Sequence, residues 1–230
     1  YSKEVAVFDD SGIIAEVKRE NPKVKQPTST NLYKERKAAW LKANSHKYII
    51  KKTGKESQDT ITKMVESCWE NETVSKILSN IDYQSSILWE DLETGLKLKT
   101  RPDVAKKNSN VLIDIKTAES ADYKSFRRDC MKYNYPLQAI MQTDGVVQSE
   151  YKERVDFYFW LVVEKKPPYH IGVYAFTLPD RVRIEEQYRQ LLEAVKTAKQ
   201  REEYLGLGFS QSNPSGVMEL NLSHYNILKT

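Results

Sequence analysis

Cysteines and long apolar runs are scarce in this sequence. The 230 residues include two cysteines, Cys68 and Cys130, which lie too far apart to form any common metal-binding motif. Two isolated thiols are typical of a reducing compartment, so the sequence predicts a cytoplasmic protein in which both cysteines are structural. The longest apolar run, Phe157–Val163, has the length of a strand and falls far short of a membrane span. There is no signal-peptide pattern either.

The length and composition predict a single domain, with enough residues to form a hydrophobic core. Hydrophobic residues make up 40% of the chain and charged residues 30%, which is ordinary for a globular protein. We therefore interpret 1–230 as a single domain with its core at about 57–205. The chain begins at Tyr1 rather than Met, and we expect that part of the N-terminal region is missing from this sequence.

Positive charge is concentrated in one segment. The net charge of the chain is +4, but Lys97–Lys132 alone contains ten lysines and arginines against five acids. A field of this sign favours a polyanionic substrate. The alternative is a solvated basic hairpin and helix without a ligand.

Residue periodicity predicts a helix, three strands, two helices, two strands and a final helix. Residues 9–30 are polar and contain two prolines, so we interpret them as a loop. The first helix and the last helix each carry apolar residues three and four apart, which predicts one core-facing stripe on each. The predicted elements are Ser57–Ser79, Ser85–Asp91, Leu96–Asp103, Val111–Lys116, Ser120–Lys132, Pro136–Val147, Phe157–Glu164, Tyr169–Thr177 and Pro179–Leu205. The predicted stripes are Ile61, Met64, Val65, Cys68, Trp69, Val74, Ile77 and Leu78 on the first helix, and Val182, Ile184, Tyr188, Leu191, Leu192 and Val195 on the last.

Two acids and a lysine stand at the ends of two predicted strands. Asp114 and Lys116 are two residues apart in a β-branched run, so they point to the same face of their strand. A hairpin through Ala105–Asn110 would bring Asp103 beside Asp114. Two carboxylates suit Mg²⁺, and a lysine can orient or activate a water molecule. The alternative is a buried Asp–Lys ion pair without a metal.

The order of short motifs resembles that of a known nuclease superfamily. Pro102-Asp103 followed by Asp114-Ile115-Lys116 resembles the signature of the PD-(D/E)xK nucleases. The wider series over about Ser85–Val147 is similar to the RecE-type exodeoxyribonucleases of phages and prophages, which are relatives of phage lambda exonuclease. That series is Ile87-Leu88-Trp89-Glu90-Asp91-Leu92-Glu93-Thr94-Gly95-Leu96, Arg101-Pro102-Asp103, Asp114-Ile115-Lys116-Thr117, Tyr133-Asn134-Tyr135-Pro136-Leu137-Gln138-Ala139 and Thr143-Asp144-Gly145.

The resemblance implies a fold, a reaction and a set of catalytic groups. The implied fold is α/β, a restriction-endonuclease-like core with a mixed central β-sheet flanked by helices. The implied activity is Mg²⁺-dependent 5′→3′ digestion of double-stranded DNA, with Mn²⁺ as a substitute metal, to leave 3′ single-stranded tails for recombination. Asp103, Asp114 and the carbonyl of Ile115 would hold one or two metal ions, and Lys116 would position the attacking water. No histidine general base is required.

A glutamine after the Asp-x-Lys strand resembles a further motif of the superfamily. Its RecB-like branch has a Q-x-x-x-Y motif at the edge of the active site, and Gln138 matches the first position. The second position is Gln142 instead of tyrosine. Gln138 and Gln142 are four apart, so we expect both on one open helix face. Simple solvent exposure is the alternative for Gln138.

Basic and aromatic residues around the motifs are candidates for DNA binding. Arg101 either steers the DNA backbone or pairs with Asp91 or Glu93. Tyr135 either stacks on a base or packs in the core. The full set of candidates is Arg101, Thr117, Arg127, Arg128, Lys132 and Tyr135.

The resemblance also implies partners. It predicts double-stranded DNA ends as the substrate, a homo-oligomeric ring of three or four subunits, and a single-strand annealing protein as recipient of the product. Two other functions remain open at this point. One is an endonuclease of the same fold, and the other is a non-catalytic DNA-binding module.

Overall fold

The computed structural model describes residues 4–54, 56–83, 85–106 and 109–203, and these contain nine strands and seven α-helices. The strands are β1 (Val5–Phe8), β2 (Tyr48–Lys51), β3 (Ile81–Tyr83), β4 (Ile87–Glu90), β5 (Lys97–Thr100), β6 (Val104–Lys106), β7 (Val111–Ala118), β8 (Phe157–Glu164) and β9 (Ile171–Ala175). The helices are α1 (Ser11–Glu20), α2 (Asn31–Ala43), α3 (Gln58–Glu70), α4 (Glu72–Ile77), α5 (Tyr123–Tyr133), α6 (Tyr135–Gln148) and α7 (Leu178–Arg201).

A five-stranded mixed sheet of order β3-β6-β7-β8-β9 forms the centre of the molecule. β7 and β8 are parallel, with Val111 opposite Phe157 and Ala118 opposite Glu164, while the other neighbours are antiparallel. Both central strands are buried on two faces, which explains their nearly continuous apolar sequences. Two parallel strands need a long crossover, and α5 and α6 supply it. The mixed sheet flanked by helices agrees with the predicted fold class.

The two faces of this sheet carry different helices. Ile113 and Leu161 pack with Cys68 of α3 and Val74 of α4 on one face. Leu112 and its neighbours on β8 pack with α5, α6 and the β4–β5 hairpin on the other face. Because side chains alternate along a strand, Asp114 and Lys116 share the face of Leu112 and point towards α5 and α6.

The strand that pairs with β7 differs from the predicted one. We predicted one strand over Leu96–Asp103 and a hairpin loop from Ala105. Instead β5 pairs with β4 in a separate two-stranded sheet, and the short strand β6 pairs with β7, with Val104 opposite Ile113. Pro102 lies between β5 and β6 and has no N–H to donate to a ladder, so β5 ends before it and the pairing with β7 begins at Val104.

The predicted loop over residues 9–30 is wrong in part, because it contains the helix α1. Ile13, Ile14 and Val17 are three and four apart, and Val17 is buried. β1 and β2 form a parallel pair beside α1 and α2, and Phe8 of β1 contacts Trp40 of α2 edge to face. A short apolar stripe among charged residues is therefore enough to form this helix, which is joined to α2 by the ion pair of Glu16 with Arg36.

The long C-terminal helix and α3 bury narrower stripes than predicted. The single helix predicted over Ser57–Ser79 is two helices, α3 and α4. Of its predicted stripe, five residues pack in the core: Met64, Cys68, Val74, Ile77 and Leu78. Tyr188 and Leu192 are the buried residues of α7, and Ile184 packs beside them. The prediction that the remaining stripe residues face the core is wrong, since about half of the surface of each is exposed: Ile61, Val65, Trp69, Val182, Leu191 and Val195. Within the described ranges no helix is both long and apolar enough to cross a membrane.

Both cysteines are free thiols that pack in the protein. Cys68 is buried and Cys130 is half-buried. Burial raises the pKa of the Cys68 thiol. Burial and the nearby Asp129 carboxylate raise the pKa of the Cys130 thiol to about 11. Both thiols therefore stay protonated near neutral pH, which suits the predicted structural role and not that of a nucleophile.

Candidate active site

An acid and a lysine on β7 form the centre of the candidate site. Asp114 lies opposite Trp160 in the parallel ladder, and only 1% of its surface is exposed. The Lys116 ammonium lies 2.7 Å from Asp114 Oδ2. This contact is an ion pair, and no other group in the described residues donates a hydrogen bond to the buried Oδ2. A buried carboxylate oxygen with a single partner keeps a lone pair that can bind a further ligand.

The second carboxylate, Asp103, comes from the residue that precedes β6. The pairing of Val104 with Ile113 places Asp103 next to Asp114 across the ladder. Asp103 Oδ2 accepts a hydrogen bond of 3.0 Å from the backbone N–H of Ile115. The structure thus brings Asp103 and Asp114 together, as the sequence predicted, although the strand that does so is β6.

The surroundings of Asp114 disfavour its ionised form. Burial raises the pKa of Asp114 to about 6, because the Lys116 ammonium lowers it by less than burial raises it. The neighbouring Asp103 carboxylate raises the pKa of Asp114 further. Two adjacent carboxylates repel each other when both are ionised, and a bound cation would remove that repulsion.

The donor atoms fit a hard divalent cation. Asp103 and Asp114 supply carboxylate oxygens, and one of those oxygens is buried with the Lys116 ammonium as its one partner among the described residues. The N–H and the carbonyl of a strand residue leave the strand on the same edge, so the Ile115 carbonyl is directed to the Asp103 side. Nowhere in the described ranges do three histidine, cysteine or acidic side chains form a metal-binding group. Mg²⁺ is usually held by one or two carboxylates and keeps several waters, so this small ligand set is sufficient.

Gln138 reaches the site from the first turns of α6. Asn134 has a left-handed backbone (φ 53°), which ends α5 and starts α6 within one residue. As a result of this tight junction, the first turns of α6 lie beside Lys116 of β7. The Lys116 ammonium donates a hydrogen bond of 3.0 Å to Gln138 Oε1. Lys116 is therefore held between Asp114 and Gln138, and Gln138 is more than a solvated surface residue.

Gln142 does not share the exposed position of Gln138. We expected both on one open helix face, but Gln142 is buried and its Oε1 accepts a hydrogen bond of 2.7 Å from the hydroxyl of Tyr158. The buried hydroxyl of Tyr158 on β8 needs an acceptor, and Gln142 is the one that α6 places there. A signal for this pair is visible in the sequence, namely a tyrosine inside an otherwise apolar strand.

These positions predict that the two glutamines affect different properties, the cleavage rate for Gln138 and the stability of the fold for Gln142. We expect Gln138→Ala to lower the rate of DNA cleavage about tenfold, since Lys116 loses one of its two partners, and to leave the unfolding midpoint unchanged because Gln138 is exposed. Gln142→Ala should lower stability by about 1–3 kcal/mol, because it leaves the Tyr158 hydroxyl buried without a partner. Single-turnover cleavage and thermal unfolding of both variants measure this. A Gln138→Ala protein that melts early would show that Gln138 is structural.

The candidate DNA-binding residues differ in their exposure and in the face of the sheet on which they lie. Arg101, Arg127, Arg128 and Lys132 are exposed. Asp91 pairs with Arg189 and not with Arg101, which leaves Arg101 beside Pro102 and Asp103 on the surface. Tyr135 is half-buried and its ring centre lies 4.3 Å from the Lys116 ammonium. Thr117 follows Lys116 in β7, so its side chain points to the opposite face of the sheet and away from this group.

A second polar cluster lies at the far end of α6. Asp91, at the end of β4, is buried and pairs with Arg189 of α7 at 2.5 Å. Arg189 also pairs with Asp144 of α6 at 2.6 Å. Gln148 donates to both carboxylates, at 3.1 Å to Asp91 and 2.7 Å to Asp144, and the Tyr188 hydroxyl donates to Asp144 at 3.0 Å. Burial raises the pKa of Asp91, but hydrogen bonds from Thr94, Arg189 and Gln148 outweigh it and hold the pKa well below its usual range.

This cluster ties the β4–β5 hairpin to α6 and α7. Gly145 brings α6 close to the hairpin, since a Cβ at this position would lie 2.7 Å from the Trp89 ring. Gly95 has φ +68°, which the turn after Asp91 requires. Asp91, Gly95, Asp144 and Gly145 belong to the motifs that supported the resemblance, and here they have a structural role. They hold α6, the helix that carries Gln138, against the β4–β5 hairpin. Sequence reasoning missed Arg189, because no local pattern marks one arginine of a charged helix as the partner of an acid 98 residues away.

Comparison with known proteins places this geometry in a family. The profile of a family described as "PDDEXK-like domain of unknown function (DUF3799)" matches residues 24–204. No curated protein matches the sequence. A solved structure described as "Putative exonuclease" from Eubacterium rectale is 13% identical, with a TM-score of 0.51 over 96% of this chain and 86% of that chain. At that identity it shows a shared fold alone.

A second solved structure is more distant. An alkaline exonuclease (LHK-Exo) from Laribacter hongkongensis is 12% identical over 76% of this chain and 87% of that chain, with a TM-score of 0.30, which is too low to support an argument. The family profile covers most of the chain, including β3 to β9 and all four residues that meet at the end of β7. It confirms the PD-(D/E)xK resemblance and the fold class, and the chain belongs to the PDDEXK-like family DUF3799.

Proposed function

We propose that the protein is a Mg²⁺-dependent exodeoxyribonuclease that hydrolyses double-stranded DNA from its ends. One observation carries the proposal: Asp103, Asp114, Lys116 and Gln138 meet at one end of β7. A structural ion pair is the simpler alternative for Asp114 and Lys116. It would not account for the second carboxylate, because Asp103 lies beside Asp114 and the two repel each other when both are ionised.

The residues of the chain have separate tasks in this reaction. Asp103, Asp114 and the Ile115 carbonyl would hold Mg²⁺, for which Mn²⁺ would substitute because it binds the same oxygen ligands. When bound, such a cation polarises the phosphate and lowers the pKa of a bound water. Lys116, held by Asp114 and Gln138, donates a hydrogen bond that orients the attacking water or a phosphate oxygen. The exposed lysines and arginines nearby bind the DNA backbone.

We further propose digestion in the 5′→3′ direction, which leaves 3′ single-stranded tails for recombination. This part is supported by the resemblance to RecE-type exodeoxyribonucleases over Ser85–Val147. The Eubacterium rectale protein, whose fold is similar, is also described as an exonuclease. The natural setting of such an activity would be the cytoplasm of a bacterial or phage-infected cell, with a single-strand annealing protein as recipient of the 3′ tails.

The proposal is tested with linear and covalently closed circular duplexes of the same sequence. We expect the linear DNA to disappear in Mg²⁺ while the circle survives, and neither to change in EDTA. A label at the 5′ end should be released before a label at the 3′ end. Cleavage of the circle would instead indicate an endonuclease of this fold, and survival of both substrates would indicate a non-catalytic DNA-binding module.

We also propose that the subunits form a closed ring of three or four copies. A processive exonuclease must stay on its substrate between cuts, and salt-sensitive phosphate contacts alone let a monomer dissociate. Closed cyclic symmetry is the usual way in which identical subunits enclose a ligand. Light scattering should give a mass three or four times that of one chain. A monomer that degrades long duplexes without dissociating would contradict the ring.

A further inference from the structure

Four aromatic rings form a continuous stack that runs from the core to the surface beside the candidate site. Phe126 is buried and stacks on Tyr174 at 4.7 Å between ring centres. Tyr135 stacks on Phe126 at 6.1 Å, and Tyr133 stacks on Tyr135 at 5.5 Å with an angle of 26° between the ring planes. Tyr133 is 53% exposed and forms the outer end of the stack.

The position of Tyr133 is fixed by the backbone. The left-handed Asn134 lies between the last residue of α5 and the first residue of α6, and this turn places the rings of Tyr133 and Tyr135 side by side. The Tyr135 ring also contacts the Lys116 ammonium at 4.3 Å. Tyr133 is thus one ring away from the lysine that the proposed mechanism assigns to the scissile phosphate.

A positive charge accompanies the outer ring. The Lys132 ammonium lies 4.9 Å from the centre of the Tyr133 ring, and both side chains are exposed. An exposed aromatic ring beside an ammonium is suited to a nucleotide, since the ring stacks on the base and the ammonium binds the phosphate. A second exposed tyrosine, Tyr123, begins the same helix, and among the described residues no lysine ammonium lies over its ring.

We propose that Tyr133 is a stacking platform for a nucleobase at the DNA end, adjacent to the scissile phosphate. The inference rests on the proposed nuclease function and adds to it a binding site for an unpaired base. An enzyme that cuts next to a duplex end must hold the terminal nucleotide in one position. A rigid stack anchored in the core provides that position, and it accepts any base because every base has a π-face.

The test measures coupling between the Tyr133 ring and one base of the DNA. Short duplexes carry an abasic site at each of the first three nucleotides of either strand in turn, and their affinity is measured by fluorescence anisotropy. All proteins carry Asp114→Asn so that the DNA stays intact. Tyr133→Ala should weaken binding of the intact duplex by about five- to a hundredfold. It should have no effect on the duplex that lacks the base at one of these positions.

Matched variants separate stacking from other effects. Tyr133→Trp should keep the coupling and Tyr133→Leu should lose it, because leucine is apolar but has no π-face. Tyr123→Ala should bind every duplex as the parent does. Equal weakening of all duplexes by Tyr133→Ala, or none, would overturn the inference. Cleavage of linear duplex by the protein with native Asp114 is measured in parallel, so a failure of the nuclease function is seen separately.

Discussion

Replacing Asp114 with asparagine is expected to lower the rate of DNA cleavage more than a hundredfold. The change keeps the size of the side chain but removes the charge that would hold Mg²⁺. A loss of roughly a hundred- to a thousandfold is typical when one preorganised electrostatic group is removed. DNA affinity should stay close to that of the native protein, because it depends mainly on lysine and arginine contacts to phosphates. Single-turnover cleavage and filter binding of the same preparation measure both quantities.

The control for Asp114 is another acid near the same strand. Glu119 follows the end of β7, is exposed and pairs with Lys166. We expect Glu119→Gln to cleave DNA at the native rate. Asp103→Ala and Lys116→Ala should behave like Asp114→Asn, since all three groups meet at one point. Native rates in Asp114→Asn would show that the site is assigned wrongly.

The raised pKa of Asp114 adds a pH dependence to this prediction. With its pKa at about 6 in the metal-free protein, Asp114 is increasingly protonated below that pH, so protons compete with Mg²⁺ and the Mg²⁺ concentration needed for cleavage should rise there. The folded state binds this proton more tightly than the unfolded state. In metal-free buffer the contribution of Asp114 to stability is therefore greatest below its ordinary pKa and is lost as the pH rises through about 6. Asp114→Asn should thus be no less stable than the native protein at pH 7.

Replacing Asp91 with alanine is expected to have the largest effect on stability. The Asp91 carboxylate is buried and accepts hydrogen bonds from Thr94, Gln148 and Arg189. Its removal takes one acceptor from each of these donors and leaves Arg189 with Asp144 and the exposed, more distant Glu93. Breaking a buried pair of this kind costs about 3 kcal/mol, a value at the lower end because Arg189 is partly exposed. Chemical denaturation at pH 7 measures the free energy of unfolding.

The control for Asp91 lies two residues away on the same turn. Glu93 faces the same arginine at 4.0 Å but is largely exposed, so Glu93→Ala should change stability by less than about 0.5 kcal/mol. Because hydrogen bonds hold the pKa of Asp91 low, its contribution is present above the ordinary carboxylate pKa and is lost as the pH falls through the lowered value. Equal effects of the two substitutions would mean that the cluster does not fix the hairpin.

The sequence was sufficient to predict the geometry of β7 but not its partner. Alternation along a strand requires Asp114 and Lys116 to share a face, whatever the rest of the fold does. Which segment pairs with that strand depends on long-range contacts. β6 is three residues long, too short for a periodic pattern to reveal, and most of it falls in the stretch that we predicted as a hairpin loop.

Periodicity also left the burial of helix faces undecided. Residues three and four apart share a side of a helix, but two neighbouring stripes of α3 satisfy the same rule, and only the one with Met64 and Cys68 meets the sheet. Periodicity also failed to predict the burial of Gln142. It is polar and four residues from an exposed glutamine, yet it lies in the core because Tyr158 brings a hydroxyl there.

Anomalous diffraction from a crystal grown with Mn²⁺ locates the bound cation without relying on activity. We expect a peak bounded by the Asp103 and Asp114 carboxylates and the Ile115 carbonyl, and its loss in a crystal of Asp114→Asn. A cation bound elsewhere, or no peak in the native protein under conditions in which it cleaves DNA, would contradict the assignment of this site.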